Sequence, residues 1–310
     1  MLDPFEKYSF PVDIWVQNGI DWFTLYFRPF FRAIRWPIAH TLDGVEAFLI
    51  VFPPLIFLIL LLLIAWQIAG LRVAVFTVLG MTFLGFIGVW KATMTTIALI
   101  VTSVLFCVAI GIPLGIWAAR SNRVDAFTRP ILDAMQTCPG FVYLVPIVML
   151  IGIGNVAGVA VTIVFALPPV IRLTNLGIRQ VPEEVVEAAR AFGSSPLQIL
   201  LKIQLPLAIR SIMLGVNQTL MMALSMVVIA SMIAVDGLGM LVLRGIGRLD
   251  MGLATVGGVG IIVLAMILDR VTQAVGRPGT ETVRWTERGP VGLALSVGRN
   301  LPNNGRIALR

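Results

Sequence analysis

The chain has 310 residues, of which 58% are apolar and 13% charged, and its mean hydropathy is +0.95. A soluble domain carries about 25% charged residues, so this composition excludes an ordinary globular protein and requires a bilayer as solvent. The 23 Lys and Arg against 16 Asp and Glu leave a net charge of +7, which in a membrane protein marks loops held on the cytoplasmic side rather than a nucleic-acid surface.

The N-terminus carries Asp3 and Glu6 and no apolar run, so it is not a cleavable signal peptide. Further on, Trp22, Tyr26, Phe30 and Trp36 alternate with Arg28, Arg32 and Arg35. That mixture predicts an interfacial helix lying on the membrane, and arginines at four- and three-residue intervals argue against a hidden span there. Residues 1–46 are therefore read as an N-terminal interfacial segment, and His40, the only histidine, as structural.

A spanning helix needs about 20 mostly apolar residues. The long intervals free of Asp, Glu, Lys, Arg and His are 47–71, 73–90, 92–119, 134–171, 211–235 and 251–268. The fourth is nearly twice the hydrocarbon thickness as one helix and must fold back, and the turn residues Gly152, Gly154, Asn155 and Gly158 mark where. Seven spans are expected, over 48–69, 73–90, 92–118, 134–152, 157–175, 207–234 and 251–274. Cys107 and Cys138 fall in apolar stretches without the spacing of a disulfide or a metal site, and read as buried small hydrophobes.

Charge sorting orients these spans. Arg72, Arg120, Arg123, Arg129, Arg172, Arg179, Arg190, Lys202, Arg210 and the seven arginines from Arg270 to Arg310 fall on one side, and Lys91, Arg244 and Arg248 on the other. Sixteen against three predicts a cytoplasmic C-terminus. Seven spans then place the N-terminus outside, where Lys7, Arg28, Arg32 and Arg35 are discordant. Residues 47–275 form the transmembrane domain, and 276–310, rich in Gly, Pro and Arg, a flexible cytoplasmic tail attracted to anionic lipid.

The longest charged interruption is the loop 179–206. Pro182 at a first helical position with Glu183 and Glu184 behind it predicts a helix start. Gly193 ends that helix, and Ser195-Pro196 caps the next one, toward Leu205-Pro206. Val185, Ala188, Ala189 and Phe192 recur at helical spacing against Glu183, Glu184, Glu187 and Arg190. Such a helix either lies on the protein's own cytoplasmic face or presents its apolar side and Phe192 to a groove on a partner.

Glu187-Ala188-Ala189, Gly193 and then Ile203-Gln204-Leu205-Pro206 resemble the EAA loop of the membrane subunits of bacterial ABC importers. Downstream, Ala230-Ser231-Met232-Ile233, Gly237-Leu238-Gly239, Val242-Leu243-Arg244, Arg248-Leu249-Asp250 and the run from Ile267 to Gln273 are similar to permeases for glycine betaine, proline betaine, choline and related solutes, a related amino acid among them. The resemblance covers about residues 85–275, and Val235-Asp236 departs from it. It implies an all-α, type I ABC importer permease in the bacterial inner membrane, with Glu183, Glu184, Glu187, Ala188, Ala189, Arg190, Phe192 and Gly193 docking a separate ATPase that binds ATP. A second copy of the permease and an extracytoplasmic solute-binding protein are implied as further partners, and alternating access as the mechanism.

No lysine follows a glycine in the G-x-x-x-x-G-K-[ST] pattern, so this chain is expected to have no P-loop and to bind no ATP of its own; with one histidine and two isolated cysteines, no other cofactor and no enzyme site are expected. The span centres hold no acid or base, which fits a small neutral or zwitterionic solute and counts against a proton-coupled carrier. A carrier or channel working without ATPase remains the alternative, and scattered acids count against a membrane-embedded enzyme. Candidate path residues are Gln136, Phe141 and Tyr143 beside the Pro139-Gly140 break, and Asn217, Gln218 and Ser225 in the sixth span. The polar ones serve equally as interhelical hydrogen-bond partners. Gly237–Asp250 reads as an outer loop or re-entrant hairpin facing the delivery protein.

Overall fold

The computed structural model describes residues 11–276, and every regular element within them is helical. Helix α1 (Val12–Val51) runs for 40 residues through Pro29 and Pro37. Phe52 and Pro53 both precede a proline and take extended backbone angles, which stops the helix. As a result α2 (Pro54–Ala69) leaves at 106° to the second half of α1. Gly70 reverses the chain into α3 (Leu71–Phe86), which pairs with α2, and α4 (Trp90–Arg120) follows.

The amphipathic α5 (Asn122–Thr137) ends at Cys138-Pro139 for the same reason, with Cys138 extended ahead of the proline. A 3-10 turn at Gly140–Tyr143 and α6 (Leu144–Ile151) then proceed at 104° to it. After α7 (Asn155–Arg179) come α8 (Glu183–Ala191) and the short α9 (Pro196–Ile199). A π-turn at Leu200–Gln204 carries α9 into α10 (Leu205–Ala230), and α11 (Leu238–Arg248) and α12 (Met251–Gly276) complete the described chain.

The expected seven-span count is revised by these bends. Among the described residues four helices are long and apolar enough to cross a membrane, Trp90–Arg120, Asn155–Arg179, Pro196–Ile233 and Met251–Val275, or up to six if each bent pair makes one span. The expected span 134–152 is the upper part of such a pair, since its first residues belong to α5. The expected span 48–69 likewise begins inside α1. With 16 residues, α3 is about 24 Å long and falls short of a hydrocarbon core of about 30 Å. Gly237–Asp250 is largely helix α11, packed beside α12, rather than an irregular loop. The tail 277–310 and Lys7 lie outside the described residues.

The core is the triple contact of α4, α7 and α10. Close approach explains its small residues: a Cβ at Gly115 of α4 would stand 2.8 Å from the Ile171 carbonyl and 2.6 Å from the Thr174 Cβ on α7. Cys107 is buried in this core, whereas Cys138 sits half-buried at the α5–α6 elbow, because the bend carries it away from the interior.

Hydrogen bonds mark two ends of the bundle. At the lower end, Arg179 donates to the Ala118 carbonyl and to Asn122 Oδ1, each at 2.8 Å. Asp125, only 6% exposed, accepts from Arg129 at 2.6 Å and from Asn175 at 2.7 Å, and Arg172 pairs with Asp133. At the upper end, Gly154 N–H donates to the Ile233 carbonyl at 3.0 Å, and Leu238 N–H to Thr96 Oγ1 at 2.9 Å. Thr95 donates to Glu46 at 2.8 Å, and Arg35 to the Ile151 carbonyl at 3.4 Å, so α1 belongs to this upper end.

Candidate functional site

The loop 179–206 hangs from the lower end of α7. Pro182 is the N-cap of α8 and Glu183 its first residue, one position later than expected. Glu183 and Glu184 occupy the first turn, where the helix dipole favours a negative charge, and Arg190 the last, where it favours a positive one. Gly193 then adopts φ +76°. Its N–H bonds the Arg190 carbonyl at 2.9 Å while Ser194 N–H bonds the Ala189 carbonyl at 3.0 Å, the paired closure of a Schellman turn. A Cβ at Gly193 would meet nothing within 4 Å, so backbone conformation rather than space selects glycine here.

The next helix starts on a complete capping box. Ser195 Oγ accepts from Gln198 N–H at 3.3 Å, and Gln198 Oε1 accepts from Ser195 N–H at 2.8 Å. Pro206 follows, with no N–H to donate and a ring that crowds the preceding turn of an ordinary helix. The π-turn at 200–204 loosens the ladder at that point, and the helix passes through the proline unbroken.

Burial divides α8 differently from the expected apolar stripe. Val186 and Ala189, each 8% exposed, pack against Ile199 and against the flanks of Val181 and Ile203. Val185, Ala188 and Phe192 stay exposed, Phe192 at 90%. The helix is pinned to its own chain by one side and leaves a second apolar side open. Spacing alone missed Val186, because Val185 and Val186 are equally apolar and only the position of Ile199 decides between them. Glu183, Glu184, Glu187 and Arg190 are also exposed, and none forms an ion pair among the described residues. Between α8 and the lower ends of α4 and α7 lies an open cavity of about 590 Å³, with Arg120, Arg179, Arg190 and Glu183 on its wall.

The six path candidates do not behave alike. Asn217 bridges α10 to α12, donating to Asp269 at 3.3 Å and accepting from Thr272, so it is an interhelical hydrogen-bond partner. Tyr143 donates to the Met135 carbonyl at 3.0 Å and braces the elbow. Gln136, Phe141, Gln218 and Ser225 are exposed on the described chain. Gln218 and Ser225 lie seven residues apart on one face of α10. The turn bearing Phe141 packs beside that helix, since a Cβ at Gly140 would stand 3.3 Å from Met226 Sδ. Among the described residues no group of three His, Cys, Asp or Glu side chains could hold a metal ion.

Comparison with known proteins supplies the class of this helical bundle and its helix–glycine–helix loop, a transport permease. Residues 111–277 match the family described as the binding-protein-dependent transport system inner membrane component, and the chain belongs to that family. It is 61% identical over 295 residues to the glycine betaine/proline betaine transport system permease protein ProW of Escherichia coli (strain K12), covering 94% of this chain and 83% of that one. It is 42% identical over 260 residues to the glycine betaine transport system permease protein OpuAB of Bacillus subtilis (strain 168), covering 84% and 92%. Among solved structures, an inward-facing MetNI methionine ABC transporter is similar at a TM-score of 0.53 and 25% identity, over 64% of this chain and 98% of that one. The protein is thus an inner-membrane transport permease of the ABC type.

Proposed function

We propose that this permease carries a betaine-type compatible solute, such as glycine betaine, proline betaine or choline, in an ATP-driven importer. The open side of α8, with Phe192 90% exposed beside Val185 and Ala188 and four charged residues around it, carries the reading. An apolar helix face left in water is unfavourable unless a partner covers it. That partner is a separate ATPase, which binds the ATP. The lower end faces the cytoplasm and the upper end, with α1 and the N-terminus, faces outward, where a solute-binding protein delivers the cargo.

In this reading a second copy of the chain completes the path, and Gln136, Phe141, Gln218 and Ser225 line it. Aromatic faces suit a quaternary ammonium group, and the amide and hydroxyl suit a carboxylate or hydroxyl at its other end. The relatives named for glycine betaine support the solute class.

Co-purification with the cognate ATPase tests the docking, comparing wild type with Gly193→Asp and Glu187→Arg. Both variants are expected to lose binding and solute-stimulated ATP hydrolysis. Full retention of both activities by both variants would remove the coupling assignment. Glycine betaine uptake into liposomes by the purified chain without ATPase would instead favour a secondary carrier or channel.

A further inference from the structure

A pocket of about 310 Å³ opens at the upper end, where α1 passes the end of α6. Arg32 and Arg35 stand on one wall, with Phe31 beside them, and Val148, Met149 and Leu150 form the other. No acidic residue lines it among the described residues. Arg35 spends one N–H on the Ile151 carbonyl at 3.4 Å, and neither arginine forms an ion pair among the described residues. A guanidinium has five N–H donors in a planar fork, so most of this donor capacity has no acceptor among the described residues.

We propose that this pocket binds the headgroup phosphate of an anionic glycerophospholipid, with one acyl chain lying along Val148 and Met149. The chemistry is complementary on both counts. Two guanidinium groups three residues apart on one helix turn match the bidentate geometry that phosphate oxygens accept. An apolar wall beside a cationic one suits a molecule whose charge and hydrocarbon are adjacent, whereas free phosphate has no use for Met149.

The depth is also appropriate. Trp22, Tyr26, Phe30 and Trp36 of α1 are all more than half exposed, and such aromatics settle at the headgroup level of a bilayer. Arg32 and Arg35 lie between these rings in sequence, at the level where lipid phosphates are found. Two of the four discordant basic residues of the N-terminal segment, Arg32 and Arg35, thereby acquire a ligand, independently of which solute is transported.

The test is lipid retention by the full-length chain in detergent, titrated with phosphatidylglycerol or phosphatidylcholine and read by native mass spectrometry. Each arginine is expected to contribute about fivefold, so R32Q/R35Q should weaken phosphatidylglycerol binding about 25-fold and leave phosphatidylcholine unchanged. R244Q/R248Q removes two exposed arginines at the same end but outside the pocket, and should change binding by less than about twofold. Met149→Glu places an acid in the pocket with both arginines intact and should also lose the anionic lipid, which keeps the test decisive if R32Q/R35Q misfolds. Undiminished phosphatidylglycerol binding in R32Q/R35Q or in Met149→Glu, equal loss in R244Q/R248Q, or displacement of the lipid by inorganic phosphate would each overturn the proposal.

Discussion

At its upper end α7 is held without ion pairs among the described residues, by hydrogen bonds of Gly154 and Asn155 to the Ile233 carbonyl and the Asp236 N–H and by close apolar contact, with Gly158 seated so closely on Val235 that a Cβ there would stand 2.5 Å from Val235 Cγ2. At its lower end the same helix is held by polar side chains, where Arg172, Asn175 and Arg179 meet Asp133, Asp125 and Asn122 of α5. The first kind of contact is short-ranged, indifferent to salt and intolerant of added volume. The second is directional, screened by ions and able to exchange one partner for another or for water. The end of the helix that carries loop 179–206 is therefore the end built for rearrangement.

Four substitutions would break or sharpen this contrast. The largest effect is expected for Gly158→Leu, which forces a branched side chain into the Val235 contact and should cost about 3 kcal/mol, read as a lower melting temperature in detergent at any ionic strength. Asp125→Ala comes next. It strips buried acceptors from Arg129 and Asn175, but Arg129 is largely in water, so about 2 kcal/mol is expected rather than the full penalty of a buried pair. Its melting shift should shrink as salt is raised, because wild type loses the same pairing to screening; a salt-independent shift would place the lower end in the same class as the upper.

Gly193→Ala should cost about 1 kcal/mol, since the methyl group meets nothing and only the positive φ opposes it. Its effect should be local, read as faster amide exchange in α8 with the bundle unchanged. The smallest effect belongs to Arg172→Gln, whose pair with Asp133 is 40% and 66% exposed and should be worth less than about 0.5 kcal/mol.

Loop 179–206 was legible in the sequence because each of its signals acts within four residues. Pro182, Gly193 and Ser195-Pro196 specify a start, a stop and a restart through fixed φ, left-handed backbone and capping, with no help from distant groups. The apolar spans were legible through the gaps between charges. The elbows were not: a proline such as Pro53 or Pro139 ends a helix, while Pro29, Pro37 and Pro113 sit inside helices that continue. The direction taken afterwards is set by the neighbours that receive the chain. Helix α5 was missed as the start of a bent span because its Asp125, Arg129 and Asp133 failed a search for charge-free intervals. The two acids are satisfied by α7, a partner some 40 to 50 residues away, and Arg129 by Asp125 on the same helix. The same limit applies to Asn217, where only the proximity of Asp269 and Thr272 separates a bridging amide from one free to meet a solute.

The unbroken helix from Pro196 to Ile233 has a mechanical meaning. Its 38 residues make a rod about 57 Å long, anchored at its foot through Ile199 to Val186 and Ala189 of α8. A tilt of about 5° swings one end of a rod of that length by about 5 Å relative to the other, close to one helical turn. The π-turn at 200–204 lies near the foot, and the helix above it runs on without a break. Any displacement of α8 would therefore be magnified at the far end of the rod.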